Sequence, residues 1–412
     1  MEKRRHSNRH IHVPTPGDHY TFQTGSAIIT LVYEFSRKHV EAGGSAQIIV
    51  ARSSTYDYDA GECVPVDFAP YPTPNQKIAD VLLARLGMQR HFINKTYEAA
   101  VKGIQGIDPD FDGTVFIQNT PAPVWQFKKA LPNAQVCVNV CNSLFHTYDQ
   151  RELHRTVDAA DLVLFNCDFL ANEIRARLKR GHEKLRVVHN GVDTKRFVPR
   201  PDLAPKDEVV ILFVARMVPT KGADLLIRAA RKIHGKTRRF KLRIVGRETF
   251  DVNFPLSPFE LEVRKLAEPL GDCVEFIPFL DRHKILPVYQ SASIFCAPSN
   301  YDEPCTLALP EAMSCGVASI ASRRGGIPEV GRDAIHYFDP PEIDELAEHL
   351  AYLIEDEEAR IEWGRRARAQ AEAMDWAIQY RTLIKAIGTT GAEAPRPAAI
   401  SAKPLQPSTL RK

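Results

Sequence analysis

A chain of 412 residues is too long for one ordinary hydrophobic core, so two domains are expected. Hydrophobic content of 44%, charged content of 25% and a net charge of +3 belong to a globular protein and argue against a nucleic-acid partner. No run approaches the ~20 apolar residues of a membrane span, and the basic start (Lys3, Arg4, Arg5, Arg9) leads into no apolar segment of a secretion signal.

Residues 1–9 read as a basic arm. A first strand is expected at 10–15, then a polar loop with Gly17 and Gly25, a helix at 26–42 and a second strand from Ala46. Residues 56–76, rich in Asp, Pro and Tyr, read as loop. Helices follow at 77–86 and 92–104. The strand at 114–118 ends at the polar corner Asn119-Thr120-Pro121. Next come a helix at 124–131, a strand at 135–140 and a polar loop from Cys141 to Asp149. A helix, a strand at 161–166, a helix at 168–180 and a strand at 185–190 complete the series. The Pro-rich, charged stretch 197–208 reads as a linker.

A second series then begins. Strands are expected at 209–215, 241–246, 273–278, 293–298, 316–322 and around 334–338, with helices at 222–234, 258–269 and 283–291 between the earlier ones. Helices at 342–355, 357–373 and 376–387 close it, and 388–412 reads as a disordered tail. The strands are short continuous apolar runs, the mark of parallel strands covered on both faces. The fold class is therefore α/β, with two Rossmann-like doubly wound parallel-sheet domains, 10–196 and 209–375, facing a cleft where ligands should bind. The eight cysteines form no C-x-x-C pair and fit reduced thiols in a cytoplasm.

The chemistry concentrates in residues 298–316, PSNYDEPCTLALPEAMSCG. Glu303 and Glu311 have seven residues between them. Pro310 is tolerated only in a helix's first turn, so a helix should begin around 306–309. Its free N–H groups and positive dipole end suit a phosphate. Two carboxylates beside a phosphate site make sense if each holds hydroxyls of a phosphorylated sugar compound. Arg216 and Lys221, in the loop VARMVPTKG after a strand, offer a bidentate fork and a point charge for a diphosphate. Taken alone, they also read as exposed basic residues.

The ordered set A-R-M-x-x-x-K-G, V-G, P-S-x-x-x-E-P-C-x-x-x-x-P-E-A-M-S-C-G and G-G-I-P-E, with V-H-N-G-V-D at 188–193, resembles the retaining group-1 (family 4) glycosyltransferases of GT-B fold. The resemblance is strong over about 185–335 and thinner, though colinear, over 10–185. It implies a first domain that binds the acceptor, a second that binds the nucleotide sugar, and a last helix, 376–387, that crosses back to the first. It assigns Glu311 to the ribose, Glu303 to the transferred sugar, and Arg216 and Lys221 to the diphosphate leaving group. Backbone N–H groups of Thr306 and Leu307 would add donors, beside Cys305. Gly25 and Ser26 match the glycine loop that approaches the phosphates, Gly246 belongs to the V-G motif, and the base would lie near 279–282, which includes Arg282. The implied partners are a nucleotide-diphosphate sugar and a sugar, lipid-linked or other hydroxyl acceptor, with no cofactor and no metal. The pathway expected is bacterial polysaccharide, lipopolysaccharide or glycolipid synthesis.

Two departures stand out. Cys305 and Thr306 replace the family's usual Phe-Gly. After the strand at 135–140, where the family carries a histidine near the sugar, stand Cys141 and Asn142, with His146 further on. Asn119, Cys141, Asn142 and His146 are the candidates for the acceptor side. A catalytically degenerate nucleotide-sugar-binding protein and another GT-B enzyme, such as a nucleotide-sugar epimerase, are the competing readings. Asp57-Tyr58-Asp59 and Asp110-Phe111-Asp112 match a D-x-D metal motif but read as turns. The basic run from Arg175 to Arg186 reads as a solvated face, and its sharper reading is a weak contact with anionic lipid.

Overall fold

The computed structural model describes residues 7–388, apart from Lys206, Arg238 and Val252. Most of the basic arm and the tail beyond Gly388 lie outside the described residues. The first domain holds strands β1 (Arg9–Val13), β2 (Ser45–Ala51), β3 (Glu62–Val66), β4 (Thr114–Gln118), β5 (Gln135–Val140), β6 (Leu162–Phe165) and β7 (Leu185–Val187). They form one sheet in the order β3-β2-β1-β4-β5-β6-β7, every pairing parallel. The crossovers are helices α1 (Ala27–Glu41), α2 (Pro74–Arg85), α3 (His91–Ile107), α4 (Val124–Ala130), α5 (Gln150–Ala159) and α6 (Asp168–Arg177).

The second domain repeats the plan. Its strands β8 (Val209–Val214), β9 (Phe240–Val245), β10 (Val274–Ile277), β11 (Ile294–Ala297), β12 (Ala318–Ser322) and β13 (His336–Phe338) pair in parallel in the order β10-β9-β8-β11-β12-β13. Helices α7 (Ala223–Ile233), α8 (Pro258–Ala267), α9 (Leu286–Gln290), α10 (Ala308–Ser314), α11 (Ile327–Gly331), α12 (Ile343–Glu355) and α13 (Glu357–Glu372) cover it. Alternate strand residues feed separate cores on the two faces. Ile11, Val13, Val115 and Ile117 enter one, while Ile48, Val50 and Phe116 enter the other.

Two expectations need correction. The loop expected at 56–76 contains β3, paired with β2 from Gln47↔Glu62 to Ala51↔Val66. Pro65 disguised it. Proline removes a ladder donor and is admitted on an edge strand, which is where β3 lies. In addition Phe197, placed at the start of the linker, is buried, with its ring 5.8 Å from that of Tyr289.

Helix α14 (Trp376–Gly388) lies against α1 of the first domain. Trp376 meets Phe35 edge-on at 5.4 Å, the Tyr380 hydroxyl lies 2.9 Å from His39 Nδ1, and Gln135 Nε2 donates to the Ile387 carbonyl at 2.8 Å. Gly191 is required there, because a Cβ would fall 2.7 Å from the Trp376 ring.

His10 and His12 share one face of β1 and pack rather than ligate. His10 stacks on His39 at 3.5 Å and His12 stacks on Phe116 at 4.8 Å. Burial, reinforced by His39, lowers His12 to about 3 and His10 well below 6.5. The unfolded chain therefore binds more protons below pH 6.5. Stability should be full above that pH and fall as pH drops towards 3, by up to about 1.4 kcal/mol per pH unit for each imidazole. A denaturant midpoint series from pH 7.5 to 5 should show this, and His12→Gln should flatten the slope.

Candidate active site

The carboxyl ends of both sheets open onto one cleft of about 490 Å3. Gly25, Cys141 and Asn190 follow strands of the first domain, while Arg216, Gly246 and Tyr301 follow strands of the second. This is where parallel sheets leave loops free to bind.

Glu303 and Glu311 both line it, only 5% and 6% exposed. Burying a carboxylate is tolerable only with partners, and each has two. Lys221 Nζ donates to Glu303 Oε1 and the Ser299 hydroxyl to Glu303 Oε2. Arg282 donates to Glu311 Oε1 at 2.9 Å and the Tyr289 hydroxyl to Glu311 Oε2 at 2.9 Å. Burial, with Glu311 beside it, pushes the Tyr289 phenol well above its usual range, so it remains a donor. Arg216 is exposed on the same wall, and Lys221 also lies over the Tyr301 ring at 5.3 Å.

Glycines hold the carboxylate loop in place. Gly222 and Gly325 have φ of 72° and 55°. A Cβ on Gly222 would overlap the Pro298 carbonyl, and one on Gly325 the Glu303 carbonyl. Gly326 donates its N–H to the Glu303 carbonyl at 2.8 Å. The G-G-I-P-E motif thus acts first as a backbone clamp on residues 302–304. Its own acid, Glu329, reaches the other domain. Its carboxylate accepts the N–H groups of Asp168 and Phe169 at 2.6 and 2.7 Å, at the start of α6, and lies 2.9 Å from His189 Nε2. Asp168, His189 and Glu329 are near enough to gather round a cation, but both Glu329 oxygens are already spent on these donors.

The remaining sequence candidates divide. Gly25, Ser26, Gly246, Arg282, Cys305, Thr306 and Leu307 all line the cleft. Ser26 caps α1, and a Cβ on Gly25 would come 2.6 Å from Phe250 of the opposite domain. Arg282 donates its backbone N–H to Phe22 across the cleft at 3.3 Å. Cys141 and Asn142 also line the cleft. Burial pushes the Cys141 thiol up to about 12, so no thiolate is available there. Asn119 and His146 lie outside it. Asn119, at φ 51°, turns its amide oxygen to the Cys141 N–H at 3.1 Å and so supports the loop. His146 is exposed and bonds its own loop at the Ser143 carbonyl, 2.8 Å away. Ser299, Tyr289 and Glu329 were not singled out from sequence. Ser299 and Glu329 stand inside the quoted motifs, which was a usable signal, whereas Tyr289 lies in no motif.

Residues 195–370 match the family model described as glycosyl transferases group 1. The chain is 29% identical over 304 residues to spore coat protein SA of Bacillus subtilis, covering 69% of this chain and 79% of that protein. It is 30% identical over 249 residues to the D-inositol 3-phosphate glycosyltransferase of Kribbella flavida, spanning 57% of this chain and 58% of that one's length. In sequence the chain is thus similar to sugar transferases. The whole architecture superposes on sucrose-phosphate synthase of Thermosynechococcus elongatus with TM-score 0.72 at 18% identity, over 92% of this chain and 98% of that one. It also superposes on Anabaena HepE in complex with UDP-glucose, with TM-score 0.69 at 16% identity, over 92% and 99% of the two chains. Two doubly wound domains round a cleft in the GT-B arrangement are thereby shown.

Replacing Glu329 by Ala removes charge-assisted acceptors from two N–H groups across the domain junction. Each such bond is worth about 1.5–3 kcal/mol, so the loss should be about 2–4 kcal/mol after partial solvation. Urea unfolding measures it, and a change within about 0.5 kcal/mol would deny Glu329 this role.

Proposed function

We propose that the protein moves a sugar from a nucleotide-diphosphate donor to an acceptor hydroxyl with retention of configuration. The observation that carries this reading is the meeting, in one cleft, of two buried carboxylates with the cations Arg216, Lys221 and Arg282. Cations suit the diphosphate, and carboxylates suit hydroxyl pairs. Glu311 is assigned to the ribose and Glu303 to the donor sugar. Arg216 and Lys221 are assigned to the departing diphosphate, with the N–H groups of Thr306 and Leu307 beside them.

Both Glu303 oxygens are engaged, by Lys221 and Ser299, which makes it a poor nucleophile. A front-face displacement fits better. The acceptor oxygen forms its bond to the anomeric carbon on the side from which the diphosphate leaves. The bond to the phosphate oxygen breaks, and that oxygen takes the hydroxyl proton. Fixed positive charge aimed at the leaving group supplies the main stabilisation of the transition state. Donor binding must draw Lys221 from Glu303 to phosphate, and the ribose hydroxyls must replace Arg282 on Glu311. HepE was solved with UDP-glucose, so uridine nucleotides are the first to try. The polysaccharide, lipopolysaccharide and glycolipid pathways supply the acceptors proposed.

A second reading, a nucleotide-sugar binder without transfer, draws on the loop after β5, where a buried thiol and an amide stand in the place of an imidazole. Thermal stabilisation and turnover separate the two. At ~100 Kd, the correct nucleoside diphosphate should add about 2.7 kcal/mol. Lys221→Ala should lower turnover by about 10²–10³ while the fold survives, and the product's anomeric proton should report the donor's configuration. Stabilisation without turnover on any acceptor would favour the binder. No stabilisation by uridine, guanosine or adenosine diphosphates would overturn both readings.

A further inference from the structure

Helix α2 has its pattern inverted. The residues it turns inward are Asp80, which accepts the N–H groups of Phe92 and Ile93 at 2.8 and 3.0 Å, and the buried Ala84. At 100° per residue, the opposite face carries Ile78, Leu82 and Leu86, and these are 61%, 53% and 75% exposed. Met88, 46% exposed, continues the apolar surface past the helix end. Arg85 borders the stripe, and Lys77, next to Ile78 in sequence, is exposed too and lies over the Tyr71 ring at 5.1 Å, while Asp80 is the helix's sole carboxylate and points away. A helix this short does not hold such a face to water without reason. Its start is secured by a capping box between Thr73 and Gln76.

We infer that this face of α2 lies on an anionic lipid surface, with the stripe in the headgroup–acyl boundary and Lys77 and Arg85 on the phosphates. A second copy fits less well, since a two-fold contact through this patch would set its cations against each other. The basic run from Arg175 to Arg186 is the weaker candidate for lipid. Arg177 donates to the Phe145 and Tyr148 carbonyls, Lys184 to those of Asp158 and Ala160, and Arg180 pairs with Asp158. The α2 corner is also fastened to the acceptor side of the cleft. Arg155 donates to the Gly87 and Ala84 carbonyls, and Arg90 donates to Thr147 in the loop that begins at Cys141. Membrane contact here would present that loop to an acceptor embedded in lipid.

The test is co-sedimentation of the full chain with vesicles of phosphatidylcholine alone or mixed with phosphatidylglycerol. The unaltered chain should bind the mixed vesicles, more weakly as salt rises. The triple variant Ile78→Ser, Leu82→Ser, Leu86→Ser should bind at least about tenfold more weakly, and Lys77→Glu with Arg85→Glu should lose the preference for anionic lipid. Both variants should keep their thermal midpoint and their stabilisation by nucleoside diphosphate, so failure of this inference is distinct from failure of the proposed transfer. Equal binding to neutral vesicles, or unchanged binding by the triple variant, would overturn the assignment. So would a dimer that the triple variant dissolves, in a chain that binds no vesicle.

Discussion

The structure depends on giving partners to two buried carboxylates, Glu303 and Glu311. An isolated buried carboxylate would take up a proton or unfold its surroundings. Here each carboxylate has one cation and one neutral hydroxyl: Lys221 and Ser299 for Glu303, Arg282 and Tyr289 for Glu311. Those four partners come from three different segments, so the carboxylate loop, the loop after β8 and the stretch around α9 must meet. The glycines at 222, 325 and 326 are the steric condition for that meeting, since each lies against a carbonyl that a side chain would displace.

Lys221 and Arg282 are held on the two carboxylates. Under the proposed reading, a diphosphate with vicinal hydroxyls would offer each group a replacement of the same kind. The structural relatives extend the picture only at the level of fold. Cys141, Asn142 and Cys305, where the sequence departs from the pattern it resembles, sit on the cleft wall.

Most of the fold was legible, because parallel strands buried on both faces leave uninterrupted apolar runs. β3 escaped because Pro65 breaks the run, and only an edge position allows that. The meeting of Glu303, Cys305, Thr306, Leu307 and Glu311 on one cleft wall was legible in the same way, since they lie close together in one motif. Partners from distant segments were not. Nothing near Glu329 in sequence announces the N-terminus of α6, some 160 residues earlier. Tyr289 sits in a short apolar helix where packing is the ordinary expectation. Asn119 and His146 show the reverse error: a loop can be placed from sequence, but the direction of its side chains follows from bonds made later, to Cys141 and to Ser143.

The return of α14 has a mechanical consequence. The chain passes between the domains twice, once near Val192 and once near Asp375, and these two crossings are themselves bridged side by side. The Thr194 hydroxyl donates to Asp375 Oδ2 at 2.5 Å, and the Trp376 N–H donates to the Val192 carbonyl at 3.2 Å. A single tether would leave one domain free to swivel and drift. A paired crossing resists shear and separation better than one strand would. The two halves of the cleft are thus joined like the covers of a book along its spine.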